Sequence, residues 1–131
     1  MKSIGNIKEL MIGDFVYTIN DFDDTENVCK ICAIKDNDIE QIWKHTNDNN
    51  WYQLEEAYPI PLTTEILLNN GFENISEINY DFTCIYDSYC ISYFPRRYKL
   101  IVNNINFDCQ YIHQMQNIFN IFGIDKEIIV K

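Results

Sequence analysis

Hydrophobic and polar residues alternate with a period of two in the N-terminal third of the chain, which is the pattern of β-strands. The alternation covers residues 15–19, 25–35 and 39–45, and polar turn residues separate these segments. Three or four short strands at this spacing predict a small bent antiparallel sheet or an SH3-like barrel at the N-terminus.

The segment "PIPLTTEILLNNGF" (59–72) carries the signals of a short helix with a defined start and end. The two prolines hold the chain extended before the helix. The Thr63 hydroxyl is suited to the N-cap position, and Gly71 is suited to the left-handed position after the last turn, with Phe72 folding back on the helix. We therefore predict a short helix that connects the N-terminal sheet to the rest of the chain.

The C-terminal half changes its period once. Residues 79–104 alternate and predict a β-meander, whereas apolar residues within 108–123 recur at helical spacing. Asp108 is the predicted N-cap of this amphipathic helix, Gly123 its predicted end, and "KEIIVK" (126–131) the predicted short final strand. The fold class expected from these elements is α+β.

Length and composition support one folded domain spanning residues 1–131, because 47% of the residues are hydrophobic and 15% are aromatic. The N-terminus lacks the continuous apolar core of a signal peptide, and no apolar run is long enough to span a bilayer. We expect a cytoplasmic protein without membrane contact, and free thiols at the five cysteines.

The chain has 20 acidic residues against 10 lysines and arginines, a net charge of −10. This excess opposes direct binding to nucleic acid and favours basic protein partners, although acidic residues also keep a protein soluble without any partner. Residues 45–95 contain no Lys or Arg, which predicts a negative face. The predicted contact carboxylates are Asp21, Asp23, Asp24, Glu26, Asp48, Glu55, Glu56 and Asp87.

The predicted meander is rich in tyrosine. A strand in so small a protein cannot bury both of its faces, so some of these rings are expected at the surface beside carboxylates, where they can anchor a protein partner. The alternative is that most of them pack in the core. The predicted anchors are Tyr86, Tyr89 and Tyr93.

Candidate catalytic and metal-binding residues are few. Cys29 and Cys32 form a C-x-x-C motif within a predicted strand, so structural cysteines are favoured, with a zinc or redox site as the alternatives. His113 is expected on the surface of the C-terminal helix with a local hydrogen bond. Adjacent Glu55 and Glu56 make a poor acid–base pair. We expect no enzymatic activity, no cofactor and no metal.

One basic cluster, Arg96, Arg97 and Lys99, lies beside aromatic residues. Basic residues interleaved with aromatic ones occur in proteins that bind single-stranded nucleic acid. Three positive charges among so many carboxylates are too few for strong binding. The cluster is therefore predicted to be a solvated turn or an arginine anchor at a protein interface.

Residues 7–17, 57–72 and 111–128 resemble, in the same order, a set of small bacterial proteins from prophages and other mobile elements. The last segment is similar to a family ending with Tyr111, His113 and Gln114 followed by Gln116 and Asn117. The resemblance implies a mobile-element origin and carries no assigned activity. In size and acidity, although not in sequence, the chain also resembles the anti-CRISPR class, many of whose members bind the basic channel of a CRISPR effector.

These observations lead to the expectation of a non-enzymatic phage or mobile-element protein that inhibits a nucleic-acid-handling defence protein of its bacterial host. An RNA-guided nuclease is the sharpest form of this hypothesis. The oligomeric state is left open, with a monomer favoured. The alternative is a structural or regulatory phage module in which the helix face with His113 and Gln114 binds a second copy or another phage protein.

Overall fold

A computed structural model describes residues 2–19, 25–46, 50–76 and 81–130 of the chain. The chain divides into two compact units, residues 1–60 and 61–131. It has an α+β fold with two antiparallel sheets, one of them curled into a half-barrel, which confirms the predicted fold class. That all 131 residues form a single domain stays a prediction.

The first unit is built on an antiparallel sheet with the strand order β1-β2-β3-β4. The predicted strands are confirmed, and a fourth, short strand follows them. Two 3₁₀ turns, Ile7–Glu9 and Leu54–Glu56, flank the sheet. The strands are β1 (Phe15–Ile19), β2 (Glu26–Asp36), β3 (Gln41–His45) and β4 (Tyr52–Gln53).

Side chains from one face of these strands form the core of the first unit, because every second residue of a strand points to the same face. Val16, Ile31 and Trp43 are almost fully buried within one apolar cluster. The Trp43 indole also donates a hydrogen bond of 2.9 Å from Nε1 to the carbonyl of Gln53, so its buried N–H group has a hydrogen-bond partner.

The second unit contains an antiparallel sheet with the strand order β5-β6-β7-β8-β9 and two helices. The turn between β8 and β9 places Asn103 and Asn104 at φ values of 48° and 71°, as a two-residue type I′ hairpin requires. The elements are α1 (Thr64–Asn69), β5 (Glu73–Ser76), β6 (Asp81–Tyr86), β7 (Tyr89–Phe94), β8 (Lys99–Val102), β9 (Ile105–Asp108) and α2 (Ile112–Phe122).

Helix α1 begins and ends as the sequence predicts. The Thr63 hydroxyl accepts a hydrogen bond of 3.2 Å from the Ile66 amide, which is the expected N-cap contact. Gly71 has a φ of 85°, and the Phe72 amide donates to the Leu67 carbonyl over 3.0 Å. These two features complete a Schellman motif and confirm the predicted stop.

Helix α2 ends at Gly123 as predicted but begins later than predicted. Asp108 is the last residue of β9, so its assignment as the N-cap is wrong. The N-cap residue is Tyr111, and the Gln114 side chain accepts hydrogen bonds from the amides of Gln110 and Tyr111 at 2.7 and 3.1 Å. A glutamine at the third helical position can therefore satisfy these amides without an N-cap aspartate.

The predicted final strand is wrong, because residues 124–130 follow α2 without pairing to any strand that the structure describes. Two side-chain amides replace the missing strand partner. Gln116 accepts from the Ile128 amide at 2.8 Å and donates to the Lys126 carbonyl at 3.0 Å. Asn70 accepts from the Ile129 amide at 2.8 Å and donates to its carbonyl at 3.0 Å. Buried side chains thus satisfy the backbone of this tail.

Neither helix in the described ranges is long and apolar enough to cross a membrane.

Candidate functional site

The predicted partner-binding residues fall into three groups. Asp21, Asp23, Asp24 and Asp48 lie outside the described residues. The carboxylates of Glu26, Glu55 and Glu56 belong to the first unit, while the remaining four residues belong to β6, β7 and their turn in the second unit. The chain segment without Lys or Arg therefore does not form one element, and each group has its own geometry.

The turn between β6 and β7 brings three predicted residues together, and we call it the hairpin tip: Tyr86, Asp87, Ser88 and Tyr89. Tyr86 and Tyr89 face each other across the two strands. Asp87 is exposed and has a φ of 56°, a left-handed conformation that aspartate tolerates in turns. The hairpin tip therefore presents one carboxylate between two half-buried aromatic rings.

Both tyrosines of the hairpin tip bind within their own unit. The Tyr86 hydroxyl donates to the Asp125 carbonyl over 2.7 Å, and the Tyr89 hydroxyl donates to the Phe122 carbonyl over 3.0 Å. The Tyr89 and Phe122 rings also meet edge to face, with centroids 6.5 Å apart. These contacts connect the end of α2 to the hairpin. Only the exposed part of each tyrosine ring is therefore accessible to a partner.

Tyr93 is a correction to the predicted set. Its side chain is 1% exposed, and its hydroxyl donates to the Cys109 carbonyl over 2.8 Å. Burial raises the pKa of Tyr93 above its ordinary value of 10.0. A ring buried in this way is part of the core and cannot serve as a surface anchor.

The carboxylates of the first unit are exposed but have local roles. Glu56 accepts a hydrogen bond of 2.7 Å from the Gln53 amide and so stabilises the 3₁₀ turn that contains it. Burial raises the pKa of Tyr17, and the negative charge of Glu26 raises it further. The charge of Glu26 in β2 therefore acts on a side chain of the neighbouring strand β1. Glu55 is exposed on the same 3₁₀ turn as Glu56.

Lysines from other parts of the sequence lie beside the aromatic residues of the segment 45–95. Lys126 Nζ lies 5.3 Å from the centroid of the Tyr86 ring, and Lys35 and Lys44 lie 4.9 and 5.9 Å from the Trp51 ring. A segment without Lys or Arg is therefore not a surface without positive charge. The interval without Lys or Arg therefore does not establish a negative face, which stays a prediction.

Cys29 and Cys32 of β2 differ in exposure. Cys29 is buried, with Sγ 3.6 Å from the Thr18 hydroxyl, whereas Cys32 is exposed. Two thiolates must lie on the same side to bind one metal ion or to form a disulfide. This difference favours the structural interpretation of the C-x-x-C motif.

The prediction that His113 lies on the surface of α2 is wrong. Its side chain is 2% exposed, and neither ring nitrogen has a hydrogen-bond partner among the described residues. Its ring stacks on that of Tyr111, with centroids 5.9 Å apart. Burial lowers the pKa of His113 from 6.5 to about 4, so the imidazole is neutral near pH 7.

The helix face proposed for self-association is consequently not a free surface. His113 is buried, and the Gln114 side chain accepts hydrogen bonds from the two backbone amides that precede α2. Residues that act inside the fold cannot pair with a second copy without first leaving these positions.

A cavity of about 220 Å³ on the second sheet was not predicted. Its walls are formed by Phe94, Arg97, Lys99, Ile101 and Asn106. The sequence signal was the basic cluster beside aromatic residues, which the prediction assigned to a solvated turn or to an arginine anchor at a protein interface. What the sequence did not reveal is that pairing of β7, β8 and β9 gathers these residues on one face.

Comparison of the chain with protein families, with curated proteins and with solved structures finds no match in any of the three. The resemblance to mobile-element proteins stays a prediction.

Proposed function

We propose that the protein is a non-enzymatic, acidic binding protein of a phage or other mobile element, which inhibits a nucleic-acid-handling defence protein of the bacterial host by occupying a basic surface. An RNA-guided nuclease is a target with the complementary charge, because such enzymes hold their guide and target strands in a positively charged channel.

The observation that carries this proposal is the unbalanced charge. Because 20 acidic residues share 10 lysines and arginines, at least ten carboxylates have no basic residue to pair with one to one. Exposed carboxylates occur on both units, at Glu26 and Glu55 in the first and at Asp87 in the second. Summed charge of this size steers a protein toward basic partners and away from nucleic acid.

The structure changes which residues would supply affinity. Exposed apolar groups replace Tyr93 as candidate anchors. Near the hairpin tip, Ile85 is 79% exposed, and it precedes Tyr86 on the opposite face of β6. An exposed isoleucine within two residues of the exposed Asp87 combines an apolar contact with a charge that orients the partner.

Binding assays with a panel of basic nucleic-acid enzymes, including an RNA-guided nuclease, test the proposal. An acidic protein of similar size, tested in place of the basic enzymes, serves as the negative control. Association should slow as salt rises, because exposed charges are screened over roughly 8 Å at 0.15 M ionic strength. Nuclease activity measured in the same samples shows whether binding also inhibits.

A matched pair of triple variants separates local from total charge. Changing Asp21, Asp23 and Asp24 to Asn should slow association by about tenfold, the lower end of electrostatic steering effects. The control changes the exposed residues Asp36, Asp38 and Asp125 to Asn, with the same change in net charge. Equal effects of the two triple variants, or binding that does not respond to salt, would contradict a defined acidic contact surface.

A further inference from the structure

The cavity on the second sheet lies on the face that points away from the core of its unit. Phe94 pairs with Lys99, and Ile101 pairs with Asn106, so these four side chains share one face of β7, β8 and β9. The alternate residues Leu100 and Val102 point to the other face and are fully buried. The fold therefore assembles a small concave surface of about 220 Å³ from three strands and the loop between the first two.

Arg97 is held over this surface by the loop that connects β7 to β8. Its amide donates to the Phe94 carbonyl over 3.1 Å, and its guanidinium carbon lies 4.9 Å from the centroid of the Phe94 ring. A guanidinium that lies over an aromatic ring keeps N–H groups able to donate to a ligand. The arginine is thus placed before any ligand arrives.

The same loop contains an unusual backbone conformation. Tyr98 has a φ of 50°, which is rare for a bulky residue, and its carbonyl accepts a hydrogen bond of 2.8 Å from the Cys109 amide. Strained residues that the surrounding structure holds in place are concentrated at binding sites and tight turns. Here the strained residue follows Arg97 and precedes Lys99, the two positive charges of the cavity.

The two cations that line the cavity and the carboxylate paired with one of them sum to a single positive charge. Arg97 and Lys99 contribute two positive charges, and Asp108, which pairs with Lys99, contributes one negative charge. The Asp108 side chain is 87% exposed, so this ion pair is solvated and readily exchanged. One ligand carboxylate would balance the remaining charge, whereas a phosphate dianion would leave an excess of negative charge beside Asp108.

We propose that this cavity binds a single carboxylate attached to a small apolar body. The Arg97 guanidinium binds the carboxylate through two parallel hydrogen bonds, and the Asn106 amide supplies a further donor. Ile101 and the free part of the Phe94 ring contact the apolar body. A cavity smaller than the roughly 300 Å³ of typical ligand pockets admits a group of the size of one amino acid.

Two sources can supply this chemistry: a free small carboxylic acid, or the C-terminal residue of a peptide. Titration of the full chain with 3-phenylpropionate, followed by NMR, tests the first source. A tetrapeptide ending in phenylalanine tests the second. The neutral controls are 3-phenylpropanamide and the same peptide with an amidated C-terminus, each of which removes only the charge.

Either acid should bind about tenfold or more tightly than its amide, as expected for hydrogen bonds to a charged group. A tighter free acid assigns the site to small molecules, and a tighter free-C-terminal peptide assigns it to chain ends. Equal binding of acid and amide, or no binding of any of the four probes at millimolar concentration, would overturn the proposal.

Variants locate the site. Arg97→Ala should weaken binding by about tenfold, and Arg97→Lys should weaken it as well, because lysine keeps the charge but loses the planar pair of donors. Arg96→Ala removes the same charge from the neighbouring position and should leave the affinity within about twofold, as a surface change away from the contact. If Arg96→Ala weakens binding as much as Arg97→Ala, the effect is one of net charge and the assigned cavity is wrong.

Discussion

The two faces of the second sheet use their aromatic side chains in opposite ways. On the inner face, Tyr86, Tyr89 and Tyr93 turn their hydroxyls inward, and each donates to a backbone carbonyl of the same unit. On the outer face, Phe94 has no hydroxyl and supports the guanidinium of Arg97 instead. The inner rings stabilise the fold, whereas the outer ring holds a charged group in place for a ligand.

This difference shows why richness in tyrosine is a poor guide to a recognition surface. A tyrosine can be buried when its hydroxyl finds a partner, and the unpaired carbonyls around the ends of α2 provide such partners. Tyr93 is buried in this way, whereas Tyr86 and Tyr89 make the same kind of hydroxyl contact and keep part of their rings exposed.

The largest expected effect concerns Tyr93 on the inner face. Tyr93→Ala should lower the free energy of unfolding by about 3 to 5 kcal/mol, because it empties the space of a buried ring. Tyr93→Phe keeps the ring and should cost about 1 to 2 kcal/mol for the lost hydrogen bond to the Cys109 carbonyl. Urea unfolding followed by circular dichroism measures both. A loss below about 1 kcal/mol for Tyr93→Ala would return this ring to the set of surface anchors.

The second effect is a pH dependence that arises from His113. The folded protein holds the pKa of this residue at about 4, below its ordinary value of 6.5, so the unfolded chain binds the proton more readily. The contribution to stability is complete above about pH 6.5 and is lost as the pH falls toward 4, by roughly 3 kcal/mol in total. Urea unfolding at a series of pH values from 7 to 4 measures the loss.

Carboxylates also titrate near pH 4, so the test compares the protein with His113→Leu. The variant removes both ring nitrogens, which have no hydrogen-bond partner among the described residues. It should be at least as stable at pH 7, since a buried polar group without a partner costs about 1 to 3 kcal/mol. The difference in stability between the two proteins should grow as the pH falls from 6.5. A constant difference across this range would mean that the imidazole is exposed to solvent or hydrogen-bonded.

A smaller effect is expected where side-chain amides hold the C-terminal tail. Gln116→Ala should cost about 2 kcal/mol, because it leaves the buried Ile128 amide and the Lys126 carbonyl without their partner. Asn120→Ala is the matched control, since Asn120 is exposed and contacts only the Gln116 side chain among these groups. Hydrogen exchange at the Ile128 amide should speed up in Gln116→Ala but not in the control; unchanged exchange would show that the tail is held in another way.

The sequence predicted those features whose signals lie within a few residues of each other. Thr63 and Gly71 bound α1, and Gly123 ends α2, because caps and glycine stops act on the adjacent turn. It did not predict the tail, since Asn70 binds the backbone of Ile129 across 59 residues. It also misplaced the start of α2, because an aspartate is a common N-cap while Gln114 satisfies the amides from within the helix.

The candidate sites were less predictable for the same physical reason. The absence of Lys and Arg from residues 45–95 is a property of the sequence, but Lys126 and Tyr86 meet across 40 residues in space. Likewise, the residues of the outer cavity become neighbours only when β7, β8 and β9 pair. Long-range pairing of this kind carries no local pattern that a single sequence displays.

The smallest expected effect on stability belongs to the outer face, and it is the sharpest test of the comparison. Arg97→Ala and Asp108→Asn should each change the free energy of unfolding by no more than about 1 kcal/mol, since exposed ion pairs and exposed cation–π contacts contribute little. Urea unfolding at low and high salt measures both, and the Asp108 effect should shrink at high salt because solvated ion pairs are screened. A loss above about 2 kcal/mol for Arg97→Ala would mean that this cation stabilises the fold as the inner tyrosines do. A near-neutral result combined with weaker ligand binding would separate the two faces, because the same substitution would then act on recognition without acting on the core.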